Sequence, residues 1–376
     1  MEDRIYDYWA ATLQDGYLGA LVRLTGAAGG ARAMYEMGED ELRCVPGISE
    51  RLAKYITDRK ADIGLIEEEY MRMCENGISY VNHTDDDFPR RLQNTASMPY
   101  GLFVKGRLPD ELTASVAIVG ARECSEYGRL MAEYFAGRLA INGVQVISGM
   151  AWGIDGIAQS AALAAGGKSY AVLGCGVDIT YPANNRRLYD MLCENGNGVI
   201  SEYSPGTRPE ARRFPPRNRI IAGLCDVLLV VEARAKSGTL ITVDMAVDEG
   251  RTVMIVPGRL TDSLSAGCLN LLYQGALPAT SIDAVMEQLG SGKDMKQSAP
   301  SGHREDPHPA GSTVSPLQDT AGIADILTIE PRSAESIADE LKLPLKDVMI
   351  ALTRLEMEGA AKESYPGFFI KADYML

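Results

Sequence analysis

Residues 116–128 read VAIVGARECSEYG: a strand-length apolar run that stops at Gly120, a short polar loop, then a helix-compatible stretch over 127–141. The unit repeats. VQVISG (144–149), SYAVLG (169–174), GVISEY (198–203), VLLVVEA (227–233) and TVMIVPG (252–258) are further apolar runs. Helix-compatible segments at 154–165, 185–195, 217–224 and 239–249 separate them. Strands that are apolar at nearly every position are buried on both faces. Their alternation with helices predicts an α/β domain built on a parallel sheet covered by helices. In such a sheet ligands bind beyond the carboxyl ends of the strands, where loops lead into helix N-termini.

The loops at those strand ends share a chemistry. They read Gly120-Ala121-Arg122-Glu123-Cys124-Ser125, Ser148-Gly149-Met150-Ala151-Trp152-Gly153-Ile154-Asp155, Gly174-Cys175-Gly176-Val177-Asp178 and Ser237-Gly238-Thr239. Glycine permits close backbone approach, and serine or threonine supplies a hydroxyl and a helix cap. One such loop is a turn with a cap. Several on one sheet edge make a row of anion sites, which suits a chain of phosphates better than a single mononucleotide. Asp155 is read as ordering its own loop through backbone N–H groups.

A second cationic feature is RRFPPRNRIIAGLCD (212–226), which sets Arg212, Arg213, Arg217 and Arg219 within eight residues beside Phe214. The Pro215–Pro216 pair predicts an extended entry and a helix starting near Arg217, with Ile220, Ile221 and Leu224 buried. Guanidinium groups and an aromatic ring at a helix N-terminus suit phosphates and a stacked base. The alternative is a solvated basic loop.

Outward from this domain, residues 1–75 read as a small helical domain. Its Val45-Pro46-Gly47-Ile48-Ser49 turn is of the helix-hairpin-helix kind, and a structural role is favoured there because residues 1–70 hold fourteen acidic and eight basic residues. Residues 76–112 form a connecting segment with short strands that belongs with the sheet domain, giving 76–289 in all. The Ser-, Gly- and Pro-rich stretch 290–316 reads as a flexible linker. Helices near 320–328, 333–341 and 344–358, then Phe368-Phe369-Ile370, predict a winged-helix-like domain over 317–376. Its eleven acids and six bases argue against strong DNA binding.

Composition bounds the function. With 376 residues and a formal net charge of −14, the chain does not coat nucleic acid non-specifically, so any such site is a local patch. Seven cysteines without a CxxC pair point to reduced thiols and a cytoplasmic protein. No apolar run reaches membrane-spanning length. Three histidines (His83, His303, His308), two of them in the linker tract, do not make a metal site or a catalytic base, and no cofactor is implied. A dehydrogenase would need GxGxxG after the first strand and an acid ending the second; Arg122, Ser125 and Ser148-Gly149 stand there instead. Asp155, Asp178, Glu202, Glu232 and Asp244 lie near strand ends without forming a recognisable acid/base or metal-ligand pairing, and no catalytic residue is assigned.

Several motifs occur together in one order: GARECSEYG (120–128), SGMAWGIDGIAQ (148–159), VLGCGVDITYPANN (172–185), SEYSPG (201–206), FPPRNRIIAGL (214–224), VVEARAKSGTLITVDMAVDEGR (230–251) and VPG (256–258). Over roughly 85–285 they resemble the DNA-processing protein A family, also called Smf. The resemblance implies an extended Rossmann fold and a cytosolic single-stranded DNA-binding protein that protects incoming DNA and helps load the RecA recombinase during natural transformation. It also implies a homodimer, whose surface would fall on Leu269, Leu272 and Tyr273 (otherwise core). It places Gly120, Arg122 and Ser125 on the family's G-x-R-x-x-S motif, Ser148 and Gly149 on S-G-x-A-x-G-I-D, and Phe214, Arg217 and Asn218 on F-P-x-R-N. Arg122 would then grip phosphate and Phe214 would stack on a base. Many relatives carry a lysine three residues before that phenylalanine. Ala211 stands there here, with Arg212 or Arg213 as replacement. A wider group sharing the fold includes nucleotide phosphoribohydrolases, the alternative reading. Their glutamate position in G-T-x-x-E holds Thr242, which argues for phosphate binding without cleavage.

Overall fold

Nine strands form the central sheet: β1 (Ile78–Asn82), β2 (Gly101–Gly106), β3 (Ser115–Val119), β4 (Gln145–Ser148), β5 (Ser169–Leu173), β6 (Gly198–Ser201), β7 (Val227–Val230), β8 (Thr252–Ile255) and β9 (Leu277–Pro278). The structure, a computed structural model, describes residues 2–13, 20–95, 97–290, 318–328, 331–365 and 367–372. The linker expected beyond Gly290, with His303 and His308, lies outside the described residues. The chain divides into two units, 1–293 and 294–376.

In the first unit the strand order is β1-β2-β6-β5-β4-β3-β7-β8-β9. Strands β3 to β9 pair in parallel wherever they are neighbours, while β2 runs antiparallel to both β1 and β6. All six apolar runs read from the sequence are strands. Every residue of β3, β4, β5, β6 and β7 is buried, as a sheet covered on both faces requires. After β3 the chain crosses to β4 on one side and later returns to β7 on the other. Strand β3 therefore marks the topological switch point, where the loops at the carboxyl ends diverge and leave a crevice.

Helices Glu126–Ile141, Ile154–Ala164, Arg186–Leu192, Phe214–Leu224 and Gly238–Asp248 connect the parallel strands. The helix Phe214–Leu224 buries Ile220, Ile221 and Leu224, as its sequence predicts, against Ala117, Val119, Ile147 and Leu228 of the sheet. Its start differs from the sequence reading. Arg213 and Phe214 already have helical dihedrals (φ −90°, ψ −17° and φ −74°, ψ −45°), and the two prolines occupy the first turn instead of an extended approach. The first helical turn needs no N–H donors, so prolines are tolerated there, and this outweighs the extended bias on the preceding residue.

The helical stretch before β1 shares its core with the sheet. Ile5, Tyr8, Trp9, Leu52 and Ile56 belong to one apolar cluster with Tyr80, Phe103, Leu173 and Val199. The Val45–Ser49 turn separates helices Glu39–Arg43 and Glu50–Asp58, with Gly47 at φ +88° and Ser49 accepting a bond from the Leu52 N–H.

The second unit has helices Gln318–Ile326, Ala334–Leu341 and Leu345–Met357 around a three-stranded sheet of Arg332–Ser333, Phe368–Lys371 and Ala361–Tyr365. Ile337, Val348, Leu352, Leu355 and Phe369 form its core. The strand Ala361–Tyr365 has no counterpart in the sequence reading, because AKESY lacks an apolar run and its Lys362 and Glu363 are exposed.

A shared core ties the first helix to the sheet energetically. Trp9→Ala is expected to cost about 3–5 kcal/mol, and to lower one cooperative unfolding transition in urea followed by far-ultraviolet circular dichroism. An early helical transition separating from an unchanged main one would contradict this.

Candidate nucleic-acid interface

At the switch point the loops after β3, β4 and β7 and the start of the helix Phe214–Leu224 enclose an open cleft of about 630 Å³. Gly120, Arg122, Trp152, Asp155, Phe214, Arg217, Asn218, Arg234, Lys236, Ser237, Gly238, Thr239 and Thr242 line it. The fold thus brings eight of the sequence-derived site residues to one place: Gly120, Arg122, Phe214, Arg217, Asn218, Ser237, Gly238 and Thr239.

Much of the anion-binding capacity of these loops is already used by the protein itself. The Ser125 N–H donates to Glu232 Oε2 at 2.9 Å and its hydroxyl donates to the same carboxylate. Ser125 also caps the helix Glu126–Ile141 by accepting from the Gly128 N–H at 3.0 Å. The Gly149 N–H donates to Asp155 Oδ2 at 3.1 Å, and the Gly206 N–H donates to both Asp178 oxygens at 2.9 Å. Glu232 and Asp155 are both buried. Ser148, fully buried, donates its hydroxyl to the Ile118 carbonyl at 2.6 Å. In this structure the Ser125, Ser148 and Gly149 groups expected to meet a ligand are bonded within the protein. Buried loop N–H groups beyond a strand end need acceptors, and here nearby carboxylates supply them. Asp155 does order its own loop, as its sequence position suggests.

The arginine cluster is likewise engaged within the protein: Arg213 and Arg217 are buried, Arg219 is half-buried, and of the four arginines Arg217 alone lines the cleft. Arg217, 5% exposed, donates to the Val172 carbonyl and to the Gly149 carbonyl at 3.1 Å, and its Nε bonds Asn218 Oδ1 at 3.1 Å. Burial pushes its pKa down, opposed by Asp155 across Gly149. Arg219 pairs with the buried Glu202 at 2.5 Å, and Arg213 is buried against Glu210 at 2.9 Å and the Arg208 carbonyl. Arg212 is exposed and bonds Glu210 Oε2 at 2.7 Å. Because the helix starts three residues earlier than the proline pair suggests, its first turn carries Arg217 under the sheet edge. The charge of a buried arginine must be paired and hydrogen-bonded to be tolerated.

Phe214 is half-buried. Its ring packs on Gly174, where an added Cβ would lie 2.8 Å away, and stacks with Tyr181 at 5.3 Å and 28°. The Arg122 and Arg217 guanidinium carbons sit 6.0 and 5.9 Å from its centroid. Gly120 packs close to Ile154, Gly238 is exposed, and Thr239 donates its hydroxyl to the Gly120 carbonyl at 3.2 Å while Ser237 caps the helix after β7. The cations that do face solvent at the cleft are Arg122, Arg234 and Lys236. The sequence reading passes over the last two, along with Trp152. The signal was present, since ARAKSGT carries both cations directly after a strand. In the late helix, Ala266–Tyr273, Leu269 and Leu272 are half-buried and Tyr273 is 94% exposed. Among the described residues no cluster of His, Cys, Asp and Glu could hold a metal ion, and no helix is long and apolar enough to cross a membrane.

Comparisons with known proteins agree with this layout. Residues 79–290 match the family model described as DNA recombination-mediator protein A. The DNA processing protein DprA of Streptococcus pneumoniae is 44% identical over 204 residues, covering 54% of this chain and 72% of that one. Protein Smf of Escherichia coli is 34% identical over 284 residues, covering 76% and 75%. The X-ray structure of the Streptococcus pneumoniae protein superposes with a TM-score of 0.65 at 33% identity, over 76% of this chain and 97% of that one. A Helicobacter pylori DNA processing protein A structure, described for its single-stranded DNA binding mode, gives a TM-score of 0.51 at 28% identity, over 57% and 96%.

Two outcomes follow from the buried charges. Arg217→Ala removes the donor to the Val172 and Gly149 carbonyls and the charge that opposes the burial of Asp155, and is expected to cost on the order of 1–3 kcal/mol in urea unfolding; a stability unchanged from the parent chain would refute the inward placement. Burial also raises Asp155 and Glu202 above their ordinary 3.8 and 4.5, with Arg217 and Arg219 respectively opposing it. Both carboxyls therefore bind protons more tightly folded than unfolded. Their favourable contribution is complete below the unfolded values and is lost as pH rises through the raised folded ones. Asp155→Asn should flatten the fall in stability over that window, read from urea midpoints measured upward from pH 4.

Proposed function

This chain belongs to the DNA recombination-mediator protein A family, and from that premise we propose that the cleft at the switch point holds single-stranded DNA without cutting it. One observation carries the reading: in a chain of net charge −14, Arg122, Arg234 and Lys236 stand exposed around one cleft, beside aromatic rings and the cap of the helix Gly238–Asp248. Three exposed cations against one exposed lining carboxylate, Glu123, make a local track for phosphates. The rings offer base-stacking surface of the sequence-tolerant kind. The single-stranded DNA binding mode described for the Helicobacter pylori relative supports the assignment.

In this reading the protein shields incoming single strands and helps load the RecA recombinase onto them in natural transformation and homologous recombination. Two copies meet through the helix Ala266–Tyr273, where Tyr273 projects into solvent. Thr242, at the position of the hydrolases' glutamate, is buried on the cleft wall and supplies no acid for base release.

Binding to a short oligothymidylate, titrated with salt, tests the site. Each phosphate contact contributes about −0.7 to the slope of log K against log salt. Arg122→Ala and Lys236→Ala should each weaken binding and make the slope shallower by about that amount. A folded Arg122→Ala/Lys236→Ala chain that binds with parental affinity and slope would reject the cleft. Release of free base from nucleoside monophosphates, abolished by a change at a cleft carboxylate, would instead favour the phosphoribohydrolase-like alternative.

A further inference from the structure

The geometry points to Trp152 as a base platform: we propose that a nucleobase of the bound strand stacks on its indole, at the mouth of the cleft. The proposal rests on the cleft being a single-strand site, and it adds a residue that no motif match assigns.

The chain has two tryptophans. Trp9 is 2% exposed in the core, while Trp152 is 55% exposed and lines the cleft. Large exposed aromatics usually sit on loose loops, where ordering them on binding is costly. The turn that presents Trp152 is already tied down. Met150, fully buried, holds a positive φ of 53°, which is rare for a residue with a side chain. Its N–H donates to Gln159 Oε1 at 3.0 Å and its carbonyl accepts from Asn185 Nδ2 at 2.9 Å. Just after Trp152 in the chain, Gly153 at φ +74° presses on the Arg122 loop so closely that a Cβ would lie 2.2 Å from the Ala121 carbonyl oxygen and 2.5 Å from that of Arg122. The Ile154 N–H closes this contact by donating to Ala121 O at 3.2 Å.

Backbone strain maintained by the surroundings, with an exposed indole at its crest, is the pattern of a preorganised contact. The same packing sets Trp152 beside the loop of the exposed Arg122, so one phosphate and its base can be met by neighbouring loops. Phe214, the other ring on the cleft wall, is half-buried and partly covered by Tyr181. Trp152 thus offers the open π-face.

Intrinsic fluorescence reads the proposal directly, because Trp9 is shielded. Oligothymidylate should quench the emission of the parent chain and leave that of Trp152→Phe unchanged. Trp152→Ala should weaken binding about 5- to 150-fold at fixed salt, the range for one lost base stack, with the salt slope unchanged because no phosphate contact is removed. Trp152→Phe, which keeps a ring, should retain most of the affinity. On an abasic strand of equal length, parent and Trp152→Ala should bind alike. Parental affinity in Trp152→Ala, or an equal loss on the abasic strand, would overturn the stacking role while leaving the cleft intact. Failure of the parent chain to bind any single strand would overturn both readings.

Discussion

The hydrogen bonds from loop N–H groups to Asp155 and Glu232 are the constraint on which the site depends. Both carboxylates lie near the carboxyl ends of parallel strands, where loop N–H groups leave the sheet and need other acceptors. Asp155 holds the loop after β4 and is coupled to Arg217, which in turn bonds the β5 carbonyl of Val172. Glu232, just beyond β7, reaches back to Ser125 in the loop after β3. Three loops from three strands are locked by two acids and one arginine. The cleft keeps its form because its anion sites are internally satisfied.

This arrangement divides the cationic residues by task. Arg213, Arg217 and Arg219 stabilise the framework from beneath, and their burial makes them poor contacts for a ligand arriving from solvent. Arg122, Arg234 and Lys236 sit on the loops above and remain available. Net negative charge is then no obstacle to binding a polyanion, because a short exposed track acts at close range while charges more than about a Debye length away are screened, roughly 10 Å at 0.1 M salt. The proposed preference for an unpaired strand would draw on the aromatic surface, since bases within a duplex already stack on one another.

The sheet was legible because fully buried parallel strands have a signature that needs no tertiary context: short, mostly apolar runs, four of the six ending in glycine, with helices between. VAIVG and VLLVV could be little else. The cleft was legible in outline, since strand-end loops converge wherever such a sheet reverses its order. What remained hidden was the direction of each side chain. RRFPPRNR shows four like charges within eight residues, but a helix separates residues two apart by about 200°, so Arg217 and Arg219 cannot share a face. SGMAWGID does suggest that Asp155 orders its own loop, but not that Trp152 faces out. Composition alone also could not show that residues 1–75 lack a core independent of the sheet; that follows from Trp9 and Tyr8 packing in one cluster with Tyr80 and Phe103.

The short strand β9 has a consequence of its own. It closes one border of the sheet with only Leu277 and Pro278, and proline brings no N–H to a further neighbour. A foreign extended segment meeting that border finds a ladder with a rung missing, so growth of the sheet from chain to chain is blocked there. Contacts made on this flank must be built from side chains, which limits them to surfaces of matching shape and guards a concentrated solution of the protein against fibre-like stacking.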